Sequence, residues 1–154
     1  VVQYQARDWI VETVYRYQQD KFEWIEYLLR DNSDVAWLVV VEDDWLEVSW
    51  LTPVPEDQLH IEQPPPRYIT YEETYYSLRE KGEAKYSTEG RTKNQEGSCL
   101  FYDYEAKEGL QLSLEVYDSK NEGGLDINVG GKIDSRGLAL LPGDGRSVYA
   151  NTSR

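Results

Sequence analysis

The sequence predicts an all-β domain, and three observations carry that expectation. Its apolar runs are short and rich in Val, Ile, Tyr and Trp, as strands require. They are bounded by Asp, Asn, Gly and Ser, the residues of tight turns. The chain is 40% hydrophobic and 13% aromatic, which supports a packed core. At 154 residues it can bury roughly two thirds of its unfolded surface without disulfide or metal staples. Antiparallel meanders follow, packed as small barrels or a sandwich.

Taken in order, Tyr4 to Trp9 opens a first strand region, and Phe22-Glu23-Trp24-Ile25-Glu26-Tyr27 forms an aromatic and acidic strand. Residues 18–30 also fit a helix, because Phe22, Ile25, Glu26 and Leu29 share one helical face. Strand is favoured because the matching segment at 97–106 contains Gly97 and aromatics. The turn Asp31-Asn32-Ser33-Asp34 leads into Trp37-Leu38-Val39-Val40-Val41-Glu42, and Glu42-Asp43-Asp44 turns into Leu46-Glu47-Val48. Pro53, Pro55 and Pro64-Pro65-Pro66 lock φ and remove ladder donors, so residues 53–68 read as a crossover.

Beyond it the order recurs: Tyr71 to Tyr76, Leu100 to Tyr104, Leu110 to Glu115, and Leu125-Asp126-Ile127 after a loop at 119–124. The predicted organisation is a first β repeat at 1–52 and a second at 69–142 related by an internal duplication, the two forming one compact unit, followed by a polar tail at 143–154. Asp103-Tyr104 aligns with Glu26-Tyr27, and Glu115 with Glu42.

These tracts give the chain a likeness. It resembles the bacterial family known as domain of unknown function 4178, on Arg7-Asp8-Trp9-Ile10-Val11, Trp24-Ile25-Glu26-Tyr27-Leu28-Leu29, the tract from Trp37 to Asp44, Gly82-Glu83-Ala84 and Leu112-Ser113-Leu114-Glu115. Nearly the whole length is covered. The resemblance implies an accessory role, since similar proteins look like genome neighbours of membrane-stress proteins and polyamine-synthesis enzymes, and it assigns no catalytic residue. Ala6 departs from the glycine that similar sequences often place in this turn, and the loop at 119–124 is longer.

Charge and composition narrow the function classes. The net charge of −13, from 29 acidic and 16 basic residues, repels phosphate backbones and anionic lipid, so nucleic acid is not expected as a partner. The same field favours basic protein patches, metal ions or polyamines. Cys99 is the one cysteine, so no intramolecular disulfide forms, and a reducing, cytoplasmic location is expected. With one histidine as well, no ordinary zinc site can be built. No run of about 20 apolar residues is present, so direct membrane insertion is not expected. The absence of any methionine points to a removed initiator or leading segment.

Alternation places Phe22, Trp24, Glu26 and Leu28 on one face, setting a carboxylate among apolar side chains. Glu26 and Asp103 are expected to approach across a pseudo-twofold axis, with Glu42 and Glu115 nearby, as an acid–base pair or a cation site. The opposing expectation is ion pairing with Arg16, Arg30 or Arg91. Trp9, Trp24, Tyr27, Tyr102 and Tyr104 are the candidate aromatic interaction surface.

Other features read as structural. Lys120 stands where a calcium loop needs an oxygen ligand, so Asp118 to Gly123 is a solvated turn. His60 has no nucleophile motif beside it, Cys99 is a small hydrophobe in a strand, and Gly123-Gly124 and Gly130-Gly131-Lys132 shape a turn and a strand end. Asn151-Thr152-Ser153 is a chance glycosylation pattern. The expected function is a non-enzymatic accessory module without cofactor or bound metal. Its acidic, aromatic surface would engage a protein partner, one candidate being a subunit of a membrane-associated complex, or a cationic ligand. The alternative is a small carboxylate-based, cation-dependent enzyme or a metal- or polyamine-binding protein.

Overall fold

The computed structural model describes residues 1–91, 94–118 and 125–141. Eleven strands occur among them: β1 (Val2–Tyr4), β2 (Arg7–Gln19), β3 (Phe22–Asp31), β4 (Asp34–Glu42), β5 (Leu46–Pro53), β6 (Tyr68–Tyr71), β7 (Thr74–Gly90), β8 (Glu96–Glu105), β9 (Leu110–Tyr117), β10 (Leu125–Ile133) and β11 (Leu138–Leu140). Residues 18–30 are therefore strand, with only a tight turn at Asp20 and Lys21. Among the described residues helix is limited to 3-10 turns at Lys107–Gly109 and Ser135–Gly137. No helix among the described residues is long and apolar enough to cross a membrane.

Two antiparallel meanders, β2–β5 and β7–β10, join at both ends. β5 pairs with β10, and β2 pairs with β7 from Thr13 opposite Gly90 to Gln18 opposite Lys85. Eight strands thus form a closed ring, while β1 and β11 extend from β2 and β6 extends from β7. Closure gives each meander an inner and an outer face, because side chains alternate along every strand.

The outer face of β2–β5 buries Trp9, Leu29, Ala36, Leu38 and Val48 beneath Val2 of β1 and Leu138 of β11. The outer face of β7–β10 buries Tyr76, Tyr104, Leu112, Leu114 and Ile127, covered by Ile69 of β6 and by Val54, Leu59 and Ile61 of the crossover. The proline segment therefore works as a lid over apolar surface. The Val54 amide donates to the Ile127 carbonyl, and the Tyr104 hydroxyl donates to the Pro66 carbonyl at 2.6 Å. Inside the ring, Tyr17, Ala84, Tyr86, Cys99 and Phe101 form the third cluster, with Tyr15, Trp24 and Tyr117 against it.

Local sequence explains the hairpins. Asn32 takes the left-handed conformation in the β3–β4 turn, as its short polar side chain permits. The β1–β2 turn uses Gln5 and Ala6, both at positive φ, which is the conformation that makes glycine the natural occupant there.

Gly130 and Gly131 depart from the expected role at a strand end. They lie within β10, opposite Leu51 and Trp50. A Cβ on Gly130 would stand 1.9 Å from the Trp50 carbonyl oxygen and 2.9 Å from the Leu51 Cα, both backbone atoms. The β5–β10 seam therefore depends on a missing side chain. The loop at 119–124, the tail at 143–154 and its Asn151-Thr152-Ser153 pattern lie outside the described residues.

Gly130→Ala should lower stability by roughly 1–3 kcal/mol through this clash. Leu114→Ala should cost about 2–5 kcal/mol by leaving a cavity in the outer core. Urea unfolding monitored by near-UV circular dichroism checks both, and a Gly130→Ala midpoint equal to wild type would show that the seam tolerates a Cβ.

Candidate functional site

A partly open cavity of about 250 Å³ lies between the two meanders. Strand register decides what faces it. Glu26 of β3 stands opposite Val39, and Glu115 of β9 stands opposite Phe101 of β8, so the two carboxyls come from opposite walls. Asp103 lies two residues beyond Phe101, on the same face and opposite Ser113. Glu26, Glu115 and Asp103 all line the one cavity, together with Trp24 and Phe101.

Glu26 meets Glu115 rather than Asp103. The two glutamates are side-chain hydrogen-bonded to each other, 7% and 6% exposed, and only one of them can carry charge comfortably. Burial, reinforced by the charge of Glu115, holds Glu26 well above the ordinary carboxyl range. Glu115 is raised by burial to about 7, partly offset by the hydroxyl of Tyr117. Glu26 therefore keeps its proton and donates it to the Glu115 carboxylate.

The remaining lone pairs are satisfied locally. Trp24 Nε1 donates to Glu26 Oε2 at 3.0 Å, and the Tyr117 hydroxyl donates to Glu115 Oε1 at 2.9 Å. With that proton committed, the Tyr17 hydroxyl donates to Tyr117. Burial pushes both phenols well above their usual range, so both stay neutral donors.

Asp103 behaves differently. It is exposed to solvent where it borders the cavity, and partial desolvation by the surrounding protein, with repulsion from Glu80 and Glu105, raises it to about 7. The basic side chains at the cavity are already engaged, Lys132 with Glu47 at 3.8 Å and Arg79 with Glu105 at 3.4 Å. The expected arginine partners are elsewhere: Arg30 pairs with Glu12 and Arg16 with Glu89. The three carboxyl groups thus share one cavity with no guanidinium or ammonium pairing them among the described residues.

The other candidates separate from this site. Glu42 is exposed at the end of β4 and does not line the cavity. Of the aromatic surface expected from Trp9, Trp24, Tyr27, Tyr102 and Tyr104, Trp9 and Tyr104 are buried and the other three are half-buried. Trp9 and Tyr104 are 5% and 1% exposed, Tyr27 and Tyr102 pack on the outer cores, and Trp24 lines the cavity. The cause is the covering of both outer faces, by β1 and β11 on one side and the crossover and β6 on the other. Exposed rings occur instead at Trp45, Tyr68 and Tyr75. Cys99 is buried inside the ring, with its thiol pushed up by burial, and is no nucleophile. His60 is exposed on the crossover.

The sequence reading missed Trp24 and Tyr117 as hydrogen-bond donors. The signal was present, since each lies two residues from its glutamate on the same strand and hence on the same face.

The family model described as Domain of unknown function (DUF4178) matches residues 1–135. The chain belongs to this family. That span takes in every DUF4178 strand forming the ring and all three cavity carboxyls. No curated protein and no solved structure matches the chain.

Stability should follow these carboxyls with a definite sign. Their folded values lie above the ordinary ones, so the stability they confer is complete below about 4 and is lost as pH rises through about 7. Thermal unfolding should show the midpoint falling from pH 5 to pH 8, with Glu115→Gln and Asp103→Asn each flattening the slope. An unchanged slope in both variants would place the proton uptake elsewhere.

Proposed function

We propose that this domain is a non-enzymatic binding module that receives a small organic cation inside its ring. One observation carries the reading: Glu26, Glu115 and Asp103 border a single cavity whose neighbouring basic groups are already paired with other carboxylates. Removing Glu26 and Glu115 from water is costly unless something compensates, and a cation bound beside them would add to the compensation. The faces of Trp24 and Phe101 would add cation–π attraction. Among the described residues no group of three His, Cys, Asp or Glu side chains is placed to hold a metal ion, so an organic ammonium suits the cavity better.

Binding would displace the protons that Glu115 and Asp103 carry below about pH 7, while Glu26 keeps its own. Affinity should therefore rise between pH 6 and pH 8, where Glu115 and Asp103 ionise while an alkylamine stays protonated. Calorimetry with n-butylammonium, using 1-butanol as its neutral counterpart, tests this. The expected result is binding of the amine alone, stronger at pH 8, with a heat that varies with the buffer's ionisation enthalpy, and lost in Glu115→Gln. Equal heats for amine and alcohol, or none for either, would overturn the reading.

A protein partner, including a subunit of a membrane-associated complex, is the second reading. Tyr68 and Tyr75 favour it, because they stack 5.2 Å apart on the β6–β7 hairpin while 48% and 61% exposed, beside Glu72 and Glu73. A cytoplasmic location agrees with the single reduced cysteine.

We also infer that the two meanders descend from one duplicated unit. Gln5 and Ala6 share positive φ with Glu72 and Glu73 in the matching turn, and the strands that follow carry irregularities at Glu12 and Arg79. Counted from these irregularities, Glu26 corresponds to Phe101. The carboxyl pair would then be an addition to a symmetric frame.

A further inference from the structure

Resting on the reading of Tyr68 and Tyr75 as a contact surface, we infer that the outer edge of β6 receives an extended peptide segment of alternating apolar and basic residues, added as an antiparallel strand. The inference starts from a position that is filled at one end of the sheet and open at the other. β1 precedes β2 as β6 precedes β7, each pair being joined by a two-residue turn at positive φ, Gln5-Ala6 or Glu72-Glu73. β11 lies along the outer edge of β1, whereas no strand among the described residues lies along the outer edge of β6. An open edge offers a row of backbone donors and acceptors to an incoming strand.

The filled end gives the register. Val1 exchanges both backbone hydrogen bonds with Leu141, so Gln3, two residues on, faces β11 in the same way. Counted back from the turns, Tyr68 and Thr70 hold these positions in β6, and both are exposed. Residues set against them would share their outward face. Those set against Ile69 and Tyr71 would lie on the side of the buried outer cluster, as Leu138 does against Tyr4, and apolar side chains suit them.

Charge selects the outward set. Tyr68 and Tyr75 stack on that face, and a residue opposite Tyr68 would stand beside the pair. Glu72 and Glu73 outnumber Arg67 at the ends of β6, Arg79 is engaged with Glu105 at 3.4 Å, and the chain as a whole carries −13. Arginine or lysine on the outward face would gain cation–π contact with the rings and attraction to the acidic turn. The same net charge repels a second copy of this chain from the edge.

Fluorescence anisotropy with a dye-labelled, acetylated Val-Arg-Val-Arg-Val peptide tests the inference, beside Val-Glu-Val-Glu-Val and two N-methylated forms of the first. The arginine peptide should bind and the glutamate peptide should not. N-methylation of the arginines, whose amides would point at β6, should weaken binding at least about tenfold, while N-methylation of the valines changes it little. Tyr75→Ala should weaken binding about fivefold, with an unchanged thermal midpoint verifying its fold. If Tyr75→Ala weakens binding but both methylated forms bind like the parent, strand addition falls while the tyrosine surface stands. If neither peptide binds, both fall, and equal binding of the glutamate peptide overturns the choice of a basic segment. Light scattering that finds a dimer, dissolved by Thr70→Pro, would give the edge to a second copy and overturn the inference.

Discussion

Closure of the ring is the constraint on which the rest depends. The β2–β7 and β5–β10 pairings remove the open edges of two meanders and turn their facing sides into an interior. Glu26 and Glu115 on those sides are cut off from bulk water. Glu26 and Glu115 are raised by burial for that reason, and their mutual hydrogen bond is what lets two carboxyls occupy one dry site. Closure itself rests on Gly130, whose bare Cα lets the β5 and β10 backbones meet.

Apolar burial is divided in an unusual way by this arrangement. The two larger clusters lie on the outer faces, under β1 and β11 and under the crossover with β6, while the inner cluster is largely aromatic, with four tyrosines, Trp24 and Phe101 beside Ala84 and Cys99. Stability can therefore be supplied outside the ring, where Leu29 and Leu114 are fully buried. The interior is left free to hold groups that a conventional core would exclude. Tyrosine suits that interior, because its ring packs as an apolar surface and its hydroxyl serves a buried carboxylate, as Tyr117 does for Glu115.

Much of the architecture was legible in the sequence. The strand composition, the turn at Asn32 and the proline crossover gave the all-β meanders, and alternation along β3 placed Glu26 beside Trp24. The identity of the facing carboxyl was not legible, since it depends on the register of β8 against β9 and on which strands close the ring. Those are long-range facts with no local marker. The aromatic residues misled for the same reason: period-two alternation assigns Trp9 and Tyr104 to a face, but only the tertiary fold reveals that β1 and the crossover cover it.

The bond from the Trp24 indole to Glu26 has an optical consequence. Indole emission responds to the charge and polarity held against the ring, and here the neighbour is a carboxyl whose proton is shared. Any event that strips this proton alters the local field on the chromophore without moving the backbone. The interior thus contains its own spectroscopic voltmeter, wired to the carboxyl pair by a single hydrogen bond.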